Sequence, residues 1–164
     1  MVNFTAIGVD PGLADTGFAI IEVVERNGLV RGWSTISTDS KESVPKRLET
    51  IFVNFVEVLR KWNAQLVVLE DVYFLPKFPK AAMQLGAVCG ILSLAAALEN
   101  IQVLEMKPTE VKMALTGNGR ASKDQVEKTV RRMCAIEGEI KPSHASDALA
   151  LAMVGLSRVG MVRW

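Results

Sequence analysis

The hydrophobic period of this 164-residue chain first changes near residue 43, and that change limits the folds open to it. Before it, apolar residues come in short runs closed by turn residues. Phe4 to Val9 is stopped by Asp10-Pro11-Gly12, and Gly17 to Val24 and Leu29 to Ile36 follow. Asn27-Gly28, between the second and third runs, is a strong hairpin signal, so three successive antiparallel strands are expected. After the change, Ser43 to Trp62 puts Leu48, Ile51, Phe52, Phe55, Val56 and Leu59 on one helical stripe. Leu66 to Leu69 is a continuous apolar run, the pattern of a strand covered on both faces. Lys80 to Asn100 reads as a long helix and Ile101 to Glu105 as another buried strand. Helices are expected over Thr109 to Leu115, Ser122 to Cys134 and Ser143 to Val159. The order predicts an α/β fold: a mixed five-stranded sheet, three antiparallel strands then parallel ones, with helices on both faces. Ligands in such sheets gather outside strand ends, near the switch in strand order.

Residues 1–164 are expected to form a single domain, since no linker, repeat or low-complexity tract interrupts them. At 49% apolar and 23% charged, the chain can bury a core and is neither disordered nor fibrous. Met1 to Gly12 has no basic region followed by an apolar stretch, so it does not read as a signal peptide. The apolar run Ala87 to Leu98 is too short, and too interrupted by Gly90 and Ser93, to span a bilayer. The expectation is a cytoplasmic protein with no membrane partner, in which Cys89 and Cys134 are buried free thiols. The helix from Lys80 to Asn100 has no polar face, so it is expected to be buried in the core or against a second copy.

A net charge of +1 neither demands nor excludes nucleic acid, and local charge is more informative. Lys107 to Arg132 holds seven bases and three acids and is locally +4. Two strand ends carry carboxylates, Asp10 and Glu70. Each alone has a plain structural reading, because Asp-Pro-Gly is a good turn and Glu70-Asp71 can mark where a strand meets water. The third feature is Ser143-His144-Ala145-Ser146-Asp147-Ala148. With Ser143 as N-cap, His144 and Asp147 lie three residues apart on one helical face. An acid in a first helical turn is favoured by the helix dipole in any case. Asp147 also precedes small apolar residues among which a carboxylate needs a partner, and His144 is the chain's one histidine. Two strand-end carboxylates with a helix-borne His/Asp pair form a recurrent arrangement for two divalent cations, which suits phosphodiester cleavage.

Four motifs in order then resemble the RuvC family of Holliday-junction endonucleases over nearly the whole chain. Gly8-Val9-Asp10-Pro11-Gly12 with Thr16-Gly17 resembles its opening, and Leu69-Glu70-Asp71-Val72-Tyr73-Phe74 its second acidic motif. Lys107-Pro108-Thr109-Glu110-Val111-Lys112 and Gly117-Asn118-Gly119-Arg120-Ala121-Ser122-Lys123 resemble its basic stretch, and His144-Ala145-Ser146-Asp147-Ala148-Leu149-Ala150 its closing motif. The resemblance implies a ribonuclease H-like fold with Asp10, Glu70 and Asp147 as catalytic acids binding Mg2+ or Mn2+, two ions per site. His144 stands where family members carry Asp or His, which makes it a fourth catalytic and metal-binding candidate. Imidazole suits manganese better than magnesium. By the same resemblance Lys112, Lys123 and Arg120 bind DNA. Tyr73, with Phe74 beside it, would stack on an unpaired base at the junction centre. A homodimer that nicks a four-way junction symmetrically in recombination and repair is implied, with a branch-migration helicase complex as partner.

Three other readings are open. A ribonuclease H-like RNA-processing enzyme shares the fold and the Asp-x-Gly opening, but the helix-borne His-x-x-Asp and the Lys/Gly stretch fit it less well. A protein that grips branched DNA without cutting is opposed by the intact acids. Asp10-x-Gly12 with Thr16-Gly17 also resembles the phosphate loop of actin-like kinases, which need a second nucleotide-binding domain that 164 residues do not accommodate.

Overall fold

The structure, a computed structural model, describes residues 4–71 and 79–164. Five strands form one sheet: β1 (Phe4–Asp10), β2 (Asp15–Val24), β3 (Asn27–Ser37), β4 (Leu66–Glu70) and β5 (Gln102–Met106). Their spatial order is β3-β2-β1-β4-β5. The first three pair antiparallel, whereas β4 runs parallel to β1 and β5 parallel to β4. The helices are α1 (Val44–Lys61), α2 (Pro79–Leu98), α3 (Pro108–Thr116), α4 (Lys123–Met133) and α5 (Ser143–Arg158). Element order and sheet type are those the hydrophobic pattern predicts.

Side-chain alternation along the strands sorts the core into two layers. Ala6, Ala19, Ile21, Leu66 and Val68 face α3, α4 and α5, where Val111, Val126, Val130 and Leu149 are buried against them. Their neighbours Ile7, Val9, Ile20, Val67 and Leu69 face the opposite way, onto Ile51, Phe55 and Leu59 of α1 and Val88 and Leu92 of α2. A strand buried on both faces has no need of polar residues, which explains the unbroken apolar run of β4.

The hairpin between β2 and β3 departs from the expectation. Its turn is Glu25-Arg26, with both residues at positive φ (51° and 68°), while Asn27 and Gly28 lie inside β3. Paired positive φ is the type I′ geometry that suits the strands' twist. At Gly28 a glycine is required for another reason: a Cβ there would run into the indole of Trp164, whose Nε1 donates to the Met153 carbonyl at 2.9 Å.

Helix α2 is apolar all round, as expected, but it is only partly covered. Val88, Leu92, Ala95 and Ala96 are buried, whereas Met83 (77%), Leu94 (52%) and Leu98 (62%) are exposed. It has about the expected length, 20 residues, and by length and composition the whole helix is apolar enough to cross a membrane, unlike the shorter run Ala87 to Leu98 taken alone. It lies between β4 and β5 in the chain, however, and its buried side chains belong to the layer under α1. Both cysteines are free, as expected, and both are partly rather than fully buried.

Helix α5 lies closest to the sheet. Eleven of its residues are buried, and its backbone rests directly on β1 and β2. A Cβ at Gly8 would fall inside the Ala148 carbonyl, and one at Gly17 would stand 2.6 Å from the His144 carbonyl oxygen. Glycine is therefore needed at both places for close approach. Gly8→Ala must push α5 off the sheet, so it is expected to cost roughly 3 kcal/mol, the upper end of overpacking penalties. Thermal denaturation checks this, and an unchanged melting temperature would mean that α5 is not seated as described.

Candidate active site

The register of β1 on β4 brings two acids together. Ala6 pairs with Leu66 and Gly8 with Val68, and all four face α5. Two residues further along each strand, Asp10 and Glu70 therefore emerge side by side on the same face. Met106, paired with Glu70 on β5, is buried in that layer too. Asp10 is 8% exposed despite its charge.

Helix α5 delivers the other two groups. Its first residue is Ser143, preceded by Pro142 in the cap position, and no side chain caps it. Ser143 is thus not the N-cap that the sequence suggested, though the helix begins where expected. His144 lies over Gly17, and Asp147 precedes the Ala148 carbonyl that rests on Gly8. The His144 Nδ1 stands 2.6 Å from Asp10 Oδ2. Asp147 Oδ2 accepts from the Lys123 ammonium at 2.7 Å. All five side chains line one cavity of about 260 Å³, together with Lys112 and an apolar backing that includes Val111, Val126 and Leu151.

Lys123 is positioned by a capping box. Gln125 N donates to Ser122 Oγ at 3.2 Å, and Ser122 N donates to Gln125 Oε1 at 2.9 Å, which fixes the start of α4. Lys112, on α3, is half-buried in the cavity wall. Arg120 is exposed and does not line the cavity, so the structure separates it from the two lysines. Tyr73 and Phe74 lie outside the described residues. The cavity's apolar wall was not anticipated from sequence, although Ala150 and Leu151, three and four residues after Asp147, carried a periodic hint of it.

Negative charge is crowded here. Burial pushes the Glu70 carboxyl up to about 7, and the neighbouring charges of Asp10 and Asp147 push it the same way. Asp10 is also raised, first by burial and then by Asp147, against the lowering effect of its bond to His144. The Lys123 ammonium is held above its ordinary range chiefly by its bond to Asp147. Two carboxylates that resist ionisation side by side are relieved by positive charge. Three carboxylates are hard oxygen donors that suit Mg2+ or Mn2+, and an imidazole is a softer, borderline donor that suits Mn2+ better than Mg2+. The donor set therefore fits a divalent cation. Among the described residues, no three of the chain's acids, cysteines and histidine already close on one point as a ligand cluster. Two of the acids are instead engaged by His144 and Lys123.

A carboxylate pair at neighbouring strand ends, closed over by a helix-borne His/Asp, matches a known pattern. The sequence profile of the family described as crossover junction endodeoxyribonuclease RuvC matches residues 6–155. The chain belongs to the RuvC family. It is 38% identical over 156 residues to the RuvC of Carboxydothermus hydrogenoformans, covering 94% of this chain and 96% of that one. It is 37% identical over 152 residues to the RuvC of Thermotoga maritima, covering 93% and 90%. The solved structure of Thermus thermophilus RuvC superposes with a TM-score of 0.85 at 27% identity, over 98% of this chain and 99% of that one. The fold is thus the ribonuclease H-like fold of RuvC nucleases, and all four acidic and imidazole groups of the cavity lie within the matched residues.

The raised Glu70 carboxyl has a consequence for stability. The folded protein keeps a proton on Glu70 that the unfolded chain releases, so the stabilisation from this group is complete below about pH 4.5. It declines as pH rises and is gone above about pH 7. Without divalent cations, Glu70→Gln is therefore expected to melt a few degrees above the parent at pH 8 and alongside it at pH 4. An equal difference at both pH values would contradict the crowding.

Proposed function

We propose that this chain resolves four-way DNA junctions by paired, symmetric phosphodiester cleavage, with residues 1–164 acting as one nuclease domain within a homodimer. The observation that carries this reading is the gathering of Asp10, Glu70, His144 and Asp147 around one cavity flanked by Lys112 and Lys123. Asp10, Glu70 and Asp147, with His144, would hold two Mg2+ or Mn2+ ions. Bound there, such ions activate water and stabilise the charge that builds on the leaving 3′ oxygen.

The chain's own groups have separable tasks. Asp10, fixed by the β1 register and bonded to His144, orients the imidazole. A carboxylate accepts hydrogen bonds, so the His144 Nδ1 carries the proton and Nε2 presents its lone pair as a ligand or base. Lys112, half-buried in the wall, offers its ammonium to a phosphate near the cut. The apolar backing keeps bulk water from the inner side of the acids, which strengthens every charge interaction there. Arg120 would contact DNA outside the cavity, and Tyr73, with Phe74 beside it, would stack on an unpaired base at the junction centre. The protein would act in the cytoplasm, in recombination and repair, with a branch-migration helicase complex as partner.

The uncovered face of α2 supports the dimer. Met83, Leu94 and Leu98 give it an apolar surface that a second copy would cover, and a dimer doubles the basic surface available to a chain of net +1. Leu94→Glu is expected to convert the protein to a monomer in sedimentation, with native circular dichroism and a melting temperature that no longer rises with protein concentration.

The deciding experiment is cleavage of a labelled four-way junction beside matched linear duplex and RNA–DNA hybrid, in magnesium and in manganese. Paired nicks on the junction alone are expected, with manganese at least as effective as magnesium. Asp10→Asn should reduce the rate by at least about 100-fold while junction binding persists. Preferential cutting of hybrid or RNA would move the function to RNA processing. Binding without any cutting would leave a junction-binding protein.

A further inference from the structure

The position of Lys123 is not explained by the helix that carries it. It is the first residue of α4, where the helix dipole disfavours a cation, and α4 there has its own acid in Asp124, which is paired with Lys128. The Lys123 side chain is 72% exposed, yet its ammonium reaches back to the partly buried Asp147 carboxylate at 2.7 Å. That carboxylate is one of the acids read above as cation ligands. Lys123 also belongs to the basic stretch proposed above to meet DNA. Its three N–H donors could touch both groups, but its single positive charge cannot fully offset the Asp147 carboxylate and a phosphate together.

We propose that Lys123 is a displaceable placeholder in the metal site: it occupies Asp147 until a divalent cation takes the carboxylate, and the released ammonium then turns to a DNA phosphate. This deepens the reading of the cavity as a two-ion site and rests on it. The geometry supplies what such an exchange needs. An ion pair with one arm so exposed is weak and is easily given up to an ion of twice the charge that also draws on Asp10 and Glu70. The backbone end of Lys123 is fixed by the Ser122–Gln125 box, so its flexible stem alone has to move. Cation and junction then assist each other by the same factor in either order, as linkage requires. Lys112 lines the same cavity, but Lys123 is the lysine that the structure pairs with one of its acids.

The test measures binding without turnover. Mn2+ titration of the DNA-free protein by calorimetry compares the parent with Lys123→Gln, Lys112→Gln and Asp10→Asn. Lys123→Gln is expected to tighten Mn2+ binding about fivefold or more, with Lys112→Gln much closer to the parent. In parallel, junction binding with and without Ca2+, which does not enter the titration, should show a cation-dependent gain in the parent that shrinks in Lys123→Gln. Equal tightening by both lysine variants would reduce the effect to general repulsion and overturn the exchange. So would unchanged or weaker Mn2+ binding in Lys123→Gln, the outcome of a purely structural tether, which its melting temperature would report. Parent protein that binds no Mn2+, with Asp10→Asn indistinguishable from it, would remove the two-ion reading and this one together. Normal Asp10-dependent binding with no special effect of Lys123 would remove this one alone.

Discussion

The candidate active site depends on a backbone contact in which none of its proposed catalytic side chains takes part. Helix α5 lies against β1 and β2 because Gly8 and Gly17 have no side chain to hold it away, so the carbonyls of Ala148 and His144 rest directly on the strands. The small stretch Ala145-Ser146 and Ala148 continues the contact with buried side chains. The distance from α5 to the sheet in turn fixes how far His144 and Asp147 stand from Asp10 and Glu70. A bulkier helix or strand at these places would still bury apolar area. It would also separate the two halves of the cavity.

Electrostatics opposes what packing enforces. The fold brings three carboxylates to one cavity and leaves Glu70 and Asp10 reluctant to ionise together. His144 and Lys123 relieve part of that repulsion, one at a strand-end acid and the other at the helix-borne acid. The pattern is that of a site whose two strand-end acids are held away from their preferred protonation state by a well-packed scaffold. Strain of this kind is tolerated because the two apolar layers on either side of the sheet supply the stability.

Much of this was legible in the sequence. The switch from short apolar runs to helical period gave element order and sheet type, since burial on one or two faces writes directly into residue spacing. Asp10 and Glu70 were legible as strand ends and His144 and Asp147 as one helical face. Other features were not, for identifiable reasons. Asn27-Gly28 carries the composition of a turn, but Gly28 answers to Trp164, 136 positions away, and the turn falls on Glu25-Arg26. Ser143 has cap chemistry, yet no side chain caps α5, and its start is set by docking on the sheet. Arg120 and Lys123 are three residues apart in the same motif, and only the fold sends one to the cavity and the other to solvent. The ion pair of Lys123 joins two helices, and local spacing carries no signal for such a pair.

The in-register pairing of β1 with β4 has a further meaning for a cell that carries this protein. Because side chains alternate with a period of two, a slip of one residue would turn Glu70 to the α1 side and send Leu66 and Val68 with it, out of their layer. Correct packing and the gathering of the candidate ligands are therefore the same event. A copy that has misassembled its sheet has also dispersed its acids, so only molecules that have finished folding present the candidate site to DNA.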